Sequence, residues 1–192
     1  MNTDLPVTPK RNELLDIASA LFYEQGYGAT GIKQIIDTAG IAKGTFYSHF
    51  SSKDELGVYW LRKLHSVWQG KLEEATAGAK TPKAKILACF DLLRHWMEEK
   101  EYRGCAFLNC LAELPDPESP MRELVSGHKK ASMEAFQKLA VEHFSKRPVE
   151  YGEHKGRVIY LLYEGAMVES QNFRDTWPVK TAKKEVKSML AG

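Results

Sequence analysis

Lys43, Thr45, Tyr47 and His49 fall within one short stretch, and Thr30, Lys33 and Lys53 flank them in TGIKQIIDTAGIAKGTFYSHFSSKDEL, residues 30–56. Ammonium, hydroxyl, phenol and imidazole groups donate to phosphate oxygens and base edges, and a helix start adds free N–H groups and a positive dipole end. The chemistry such a cluster supports is recognition of DNA. Catalysis finds no comparable signal: there is no GxSxG elbow, no phosphate-cradling glycine loop and no HExxH, and the His and acidic residues are scattered. The chain therefore reads as a binding protein, not an enzyme.

These side chains need short, rigid elements to present them. Ile32, Ile35 and Ile36 recur at helical spacing, Ala39-Gly40 breaks that helix, and a second short helix from about Ala42 carries the cluster. Two short helices around a tight turn make a helix-turn-helix. Upstream, Leu14, Ile17, Ala18, Leu21 and Phe22 form one apolar stripe over Pro9 to Gln25, with Thr8-Pro9 as a start and Gly26 as a stop. The Thr30 hydroxyl is expected to cap a backbone N–H of the following helix and to lie near a phosphate. Ser52 and Glu55 occupy the S-x-x-E positions of a capping box, so a long fourth helix should begin there.

Residues 10–56 resemble the DNA-binding domain of the tetracycline-repressor (TetR) family of bacterial transcription regulators. The resemblance rests on Ala18 with Leu21-Phe22, Gly26-Tyr27, Thr30, Ile35, Ala39-Gly40-Ile41, Lys43-Gly44-Thr45-Phe46-Tyr47, His49-Phe50, and Ser52-Lys53 before Leu56. Ala42 and Gly31 depart from it, standing where a hydroxyl residue commonly caps a helix, at about 1 kcal/mol each. The family's pattern implies DNA contacts from Thr30, Lys33, Lys43, Gly44, Thr45, Tyr47, His49 and Lys53. It also implies that residues 1–55 read a palindromic double-stranded operator, while 56–192 form a helical bundle that makes a homodimer and encloses a small-molecule effector. Repression is the family's common mode.

Composition agrees. At 192 residues with 43% hydrophobic content the chain can bury a core, no run of eighteen apolar residues exists, and the N-terminus MNTDLPVTPKRN lacks the apolar stretch of a signal peptide. Membrane insertion and export are not expected, and a cytoplasmic location is. Three cysteines without a CxxC argue against a disulfide framework and a zinc site, and no cofactor or metal is expected. Residues 1–55 hold five Lys or Arg and seven Asp or Glu, a net charge of −2, so DNA affinity must rest on the local placement of Lys33, Lys43 and Lys53.

Beyond residue 56 the pattern is helical throughout, with breaks at 75–80, Gly104, the proline-rich ELPDPESP and the approach to Trp177-Pro178, so the chain reads as all-α. The helix through Tyr160, Leu161, Leu162, Gly165, Ala166 and Val168, with Val179, Ala182, Val186 and Met189-Leu190, is a candidate dimer face; burial within one chain is the alternative. Candidate pocket residues are Phe90, Trp96, Phe107, Met121, Phe136, Tyr160, Tyr163 and Met167, with His128 to orient a polar group. The same residue types at this spacing also build ordinary core. Cys105 follows Arg103-Gly104 at a helix start, where dipole and guanidinium would favour the thiolate. The string GCAFLNCLAEL resembles one branch of the family, including the N-ethylmaleimide-reductase repressor, in which that cysteine senses electrophiles and oxidants. Binding of an effector, or modification of Cys105, would then move the helix at 56–70 and release DNA.

Overall fold

A computed structural model describes residues 8–191. The expectation drawn from the N-terminal segment falls partly on residues 1–7, and the last helix's expected end at Gly192 also lies outside the described residues. Among the described residues the regular structure is helical, in nine helices, as the sequence pattern predicts.

The first three helices form around phenylalanines. Helix α1 (Pro9–Gln25) starts at Thr8, whose hydroxyl accepts the Arg11 N–H, and stops at Gly26 with φ +101°. Helix α2 (Ile32–Ala39) ends on Gly40 in the left-handed region, and α3 (Lys43–His49) follows Ala42, which caps nothing with its side chain. Helix α4 (Lys53–Thr76) opens with the Ser52 hydroxyl accepting the Glu55 N–H, while Glu55 accepts the N–H of Ser51 rather than that of Ser52. The predicted stripe on α1 is narrower than expected. Leu14, Ala18 and Phe22 are buried, while Ile17 and Leu21 are half-buried, and Arg11 takes an inward position.

Two compact units arise. One runs to His65 and takes in Ala106–Val125; the other comprises Ser66–Cys105 and the chain from Ser126 onward. In the first, Phe22 packs against Tyr27 and Trp60, with ring centroids 5.1 Å away in each case. Helix α6 (Ala106–Ala112) and the start of α7 (Pro120–His143) add buried Phe107, Cys110, Met121 and Val125. Gly57 permits this packing: a Cβ there would lie 2.4 Å from the Met121 sulfur and 2.9 Å from the Tyr27 ring.

The second unit holds α5 (Pro82–Glu99), capped by Thr81, with α8 (Val149–Phe173) and α9 (Trp177–Met189). Its centre is Phe90, Phe136 and Tyr163, whose ring centroids lie 5.2 to 6.4 Å apart. Helices α7 and α8 approach closely at Gly156, where a Cβ would meet the Gln137 Cα at 2.3 Å. Helix α9 turns Val179, Ala182, Val186 and Leu190 into its own unit. This corrects the reading that those residues supply a dimer face, because their stripe is already covered by helices of the same chain.

Candidate DNA-binding surface

Helix α3 is amphipathic over two turns. Phe46 and Phe50 are fully buried, 6.1 Å apart by ring centroid, and Phe50 meets the Tyr59 ring of α4 and the Arg11 guanidinium of α1. The opposite face is open: Lys43, Gly44, Tyr47 and Ser48 are exposed, and Thr45 and His49 half-exposed. Tyr47 stands 44% exposed, edge-on to Phe46 at 5.3 Å, with the Lys43 ammonium 5.9 Å from its ring centroid. The start of that short face therefore carries a cation next to an aromatic surface. A Cβ at Gly44 would meet nothing within 4 Å, so the chain's own packing does not demand glycine there; its smallness leaves the backbone approachable from outside.

Around α3 the predicted contacts divide. Lys33 is exposed on α2 and pairs with Asp37 at 2.7 Å, which raises its pKa through the hydrogen bond and then the charge of that carboxylate. Thr30 is wholly buried, and its hydroxyl donates to the Gly26 carbonyl at 2.8 Å. The N-cap of α2 is Gly31, which makes no side-chain cap bond. Thr30 is thus corrected from a cap beside a phosphate to a latch inside the α1–α2 turn. Lys53 is half-buried and donates to the carbonyls of Tyr27 at 3.0 Å and Thr30 at 3.1 Å, with the Tyr27 ring 4.3 Å below. Its amine is engaged by the protein, a role that sequence spacing does not reveal.

Three supports of this surface escape the sequence pattern. Arg11 is buried, 4.0 Å from the Tyr59 ring centroid and 4.9 Å from that of Phe50, and pairs with Glu55 at 3.4 Å. The Tyr27 hydroxyl donates to Asp54 at 2.5 Å, and burial followed by that carboxylate drives the phenol far above its usual pKa. Glu113 accepts the Gly28 N–H at 2.5 Å. An arginine at a helix start and a conformational glycine pair are the only hints the chain itself offers, and neither names its partner.

The candidate effector residues do not form one cluster. Phe90, Phe136 and Tyr163 meet in the core of the second unit, with Met167 also buried there. The Tyr163 hydroxyl is buried without a hydrogen-bond partner among the described residues, and burial holds its pKa well above the usual value. His128 is buried, Tyr160 half-buried, and Trp96 stacks edge-on against Trp68 at 5.5 Å. Phe107 and Met121 lie in the core of the other unit.

Cys105 sits just before α6, after a turn in which Glu101, Tyr102 and Gly104 have positive φ. The cation its sulfur meets is Lys129, 3.4 Å away, a contact the expectation about Arg103 did not foresee. Lys129 also donates to Glu164 at 2.6 Å. Burial pulls the Lys129 pKa down, but the charges of Cys105 and Glu164 and the Glu164 hydrogen bond outweigh it and leave the amine above its usual value. Burial pushes the Cys89 and Cys110 thiols each up to about 12. No group of three His, Cys, Asp or Glu among the described residues could hold a metal, and no helix among them is long and apolar enough to cross a membrane.

Residues 14–57 match the family described as bacterial regulatory proteins, tetR family. Over its length the chain is 25% identical to the HTH-type transcriptional repressor NemR of Escherichia coli K12, covering 94% of each chain. A second relative, the transcriptional repressor KstR2 of Mycobacterium tuberculosis, is 48% identical over 93 residues, 46% of each chain. The fold superposes on the crystal structure of a TetR-family transcriptional regulator from Streptomyces coelicolor with a TM-score of 0.85, at 27% identity over 95% of this chain and 94% of that one. It also superposes on reduced E. coli NemR at 0.78 and 22% identity, covering 93% and 96%.

Proposed function

We propose how this chain, which belongs to the TetR family of bacterial regulatory proteins and is a transcriptional repressor of that family, reads and releases its DNA. It binds a palindromic operator as a homodimer in the cytoplasm, residues 1–55 reading DNA and 56–192 serving dimerisation and effector binding. The observation that carries the reading is the open face of α3, held rigid by Phe46 and Phe50. Lys43, Gly44 and Thr45 reach base edges or adjacent phosphates in the major groove, and Tyr47 and His49 clamp phosphates. Lys33 steadies the flanking backbone.

Dimerisation is supported by the outer face of α8, where Leu161, Gly165 and Val168 are exposed at helical spacing and a Cβ on Gly165 would meet nothing within 4 Å. A second copy laid across this stripe would bury it. Release is supported by two features: the unpartnered hydroxyl of Tyr163 in its aromatic setting, which suits a small-molecule effector, and the Cys105 sulfur beside Lys129, which suits modification by an electrophile. Helix α4 begins in one compact unit and ends in the other, so it is the covalent route from trigger to reader.

Capture of genomic fragments by the purified protein tests this, scored by gel shift at two salt concentrations with and without N-ethylmaleimide. A palindromic fragment retained and then released by the reagent, with release lost in Cys105→Ser, supports the cysteine trigger. Retention unaffected by the reagent moves the trigger to a non-covalent effector. Absence of any specific fragment overturns the reading.

A further inference from the structure

The second unit has a groove that DNA reading does not use. It lies between α5 and α9, has a volume of about 380 Å³, and is lined by Phe90, Val179, Asp91, Arg94 and the lysines at 180, 183, 184 and 187. That volume falls within the range of small-molecule sites. Phe90 and Val179 are fully buried beneath the groove, so its accessible apolar surface is that of the lysine and arginine stems, while Lys180, Lys184 and Lys187 are exposed and form the rim. The rim follows from sequence: positions 180, 183, 184 and 187 share one face of a helix.

The charges are uneven and mostly uncommitted. Asp91 is the one acidic lining residue, and Lys183 pairs with it. Arg94 pairs with Glu98 of its own helix at 3.0 Å. Lys180, Lys184 and Lys187 enter no ion pair among the described residues. The walls are tied together beyond the groove, since Lys83 of α5 donates to the Leu190 carbonyl at 3.0 Å and Val179 and Val186 are packed inward. A preformed groove loses little order on binding.

We propose that the α5–α9 groove binds a small amphipathic anion, an apolar body with a terminal carboxylate. The body lies along the aliphatic stems of the lysines, above the buried Phe90 and Val179, and the carboxylate meets the ammonium groups at 180, 184 and 187. Its lining includes no residue of α3 and not Cys105, so it does not rest on the mode of DNA release.

Isothermal titration calorimetry of the full chain with octanoate tests it, with octan-1-ol and acetate as controls. Saturable binding of one octanoate per chain is expected, weaker in high salt and stronger than either control. Lys180→Gln/Lys184→Gln/Lys187→Gln should lose about tenfold or more in affinity, as three screened charge contacts together provide. Lys184→Glu alone should weaken octanoate while leaving octan-1-ol unchanged, which keeps the test valid if the triple variant folds poorly. Operator binding by Lys184→Glu should equal wild type, so failure of the groove and failure of the DNA reading are distinguishable. Equal octanoate affinity in wild type and Lys184→Glu, or octan-1-ol binding as tightly as octanoate, or no saturable binding, overturns the proposal.

Discussion

Lys53→Met separates two roles for one side chain. The ammonium donates to two carbonyls of the α1–α2 turn, at 3.0 and 3.1 Å, and lies 4.3 Å from the Tyr27 ring centroid. Methionine keeps most of the stem's packing but removes one donor from each carbonyl, leaving that of Tyr27 with only the Thr30 N–H at 3.4 Å. A hydrogen bond from a charged donor contributes about 1.5–3 kcal/mol and a cation–π contact about 0.5–1 kcal/mol. Lys53 is half-buried, so water recovers part of the loss and a net cost of about 2 kcal/mol is expected. In a unit of this size that lowers Tm by roughly 10 °C. Thermal and urea unfolding followed by circular dichroism read the stability, and gel shifts over a series of salt concentrations read the DNA contact. A phosphate clamp would behave otherwise: stability would hold, and the slope of log affinity against log salt would fall by about one. An unchanged melt with that loss of slope refutes the structural reading of Lys53.

Tyr47→Ala should weaken binding to every operator sequence at least several-fold while the thermal melt stays at wild type, because the ring is largely outside the core; an unchanged gel shift would contradict its place on the reading face. Phe46→Ala should instead cost about 3–5 kcal/mol, measured by urea unfolding, because the whole side chain is buried. Cys89 and Cys110 have pKa values raised from 9.0 to about 12, so the folded chain keeps protons that the unfolded chain gives up. The contribution of these two thiols to stability is therefore full below pH 9 and is lost as the pH climbs from 9 towards 12, and Cys89→Ala should flatten that loss in pH-dependent melts. Leu161→Glu should halve the mass in sedimentation without lowering the stability of the monomer, since Leu161 is 65% exposed; a dimer of normal strength would place the interface elsewhere.

Helix boundaries were legible where local chemistry sets them. Thr8-Pro9 and Thr81-Pro82 each open a helix with the hydroxyl accepting a backbone N–H, and Gly26 and Gly40 end helices at positive φ. The exposed face of α3 was equally legible, because the alternation of Phe46 and Phe50 with Lys43 and Tyr47 determines which side is buried. Partners distant in sequence were not. Lys53 finds carbonyls 23 and 26 residues away, Arg11 finds a carboxylate 44 away, and Glu113 finds an N–H 85 away. Periodicity reports that a side chain points inward or outward, and says nothing about what it meets. For the same reason the apolar stripe of α9 was visible but its cover was not, and the contact of Cys105 with Lys129 of α7, 24 residues on, was not either.

The reader's first compact unit is discontinuous in the chain, with Ala106–Val125 packed among residues that end at His65. Recombination that joined this reader to a different bundle by a single crossover after α4 would discard the Glu113 clamp on Gly28 and the Met121 sulfur that packs over Gly57. A working graft has to carry two segments, and the later one must enter the new host as the opening turns of a longer helix. Exchange of the first compact unit by swapping one N-terminal block is thereby disfavoured for this chain; on the proposed reading of α3, point substitution there is the easier route to a new operator.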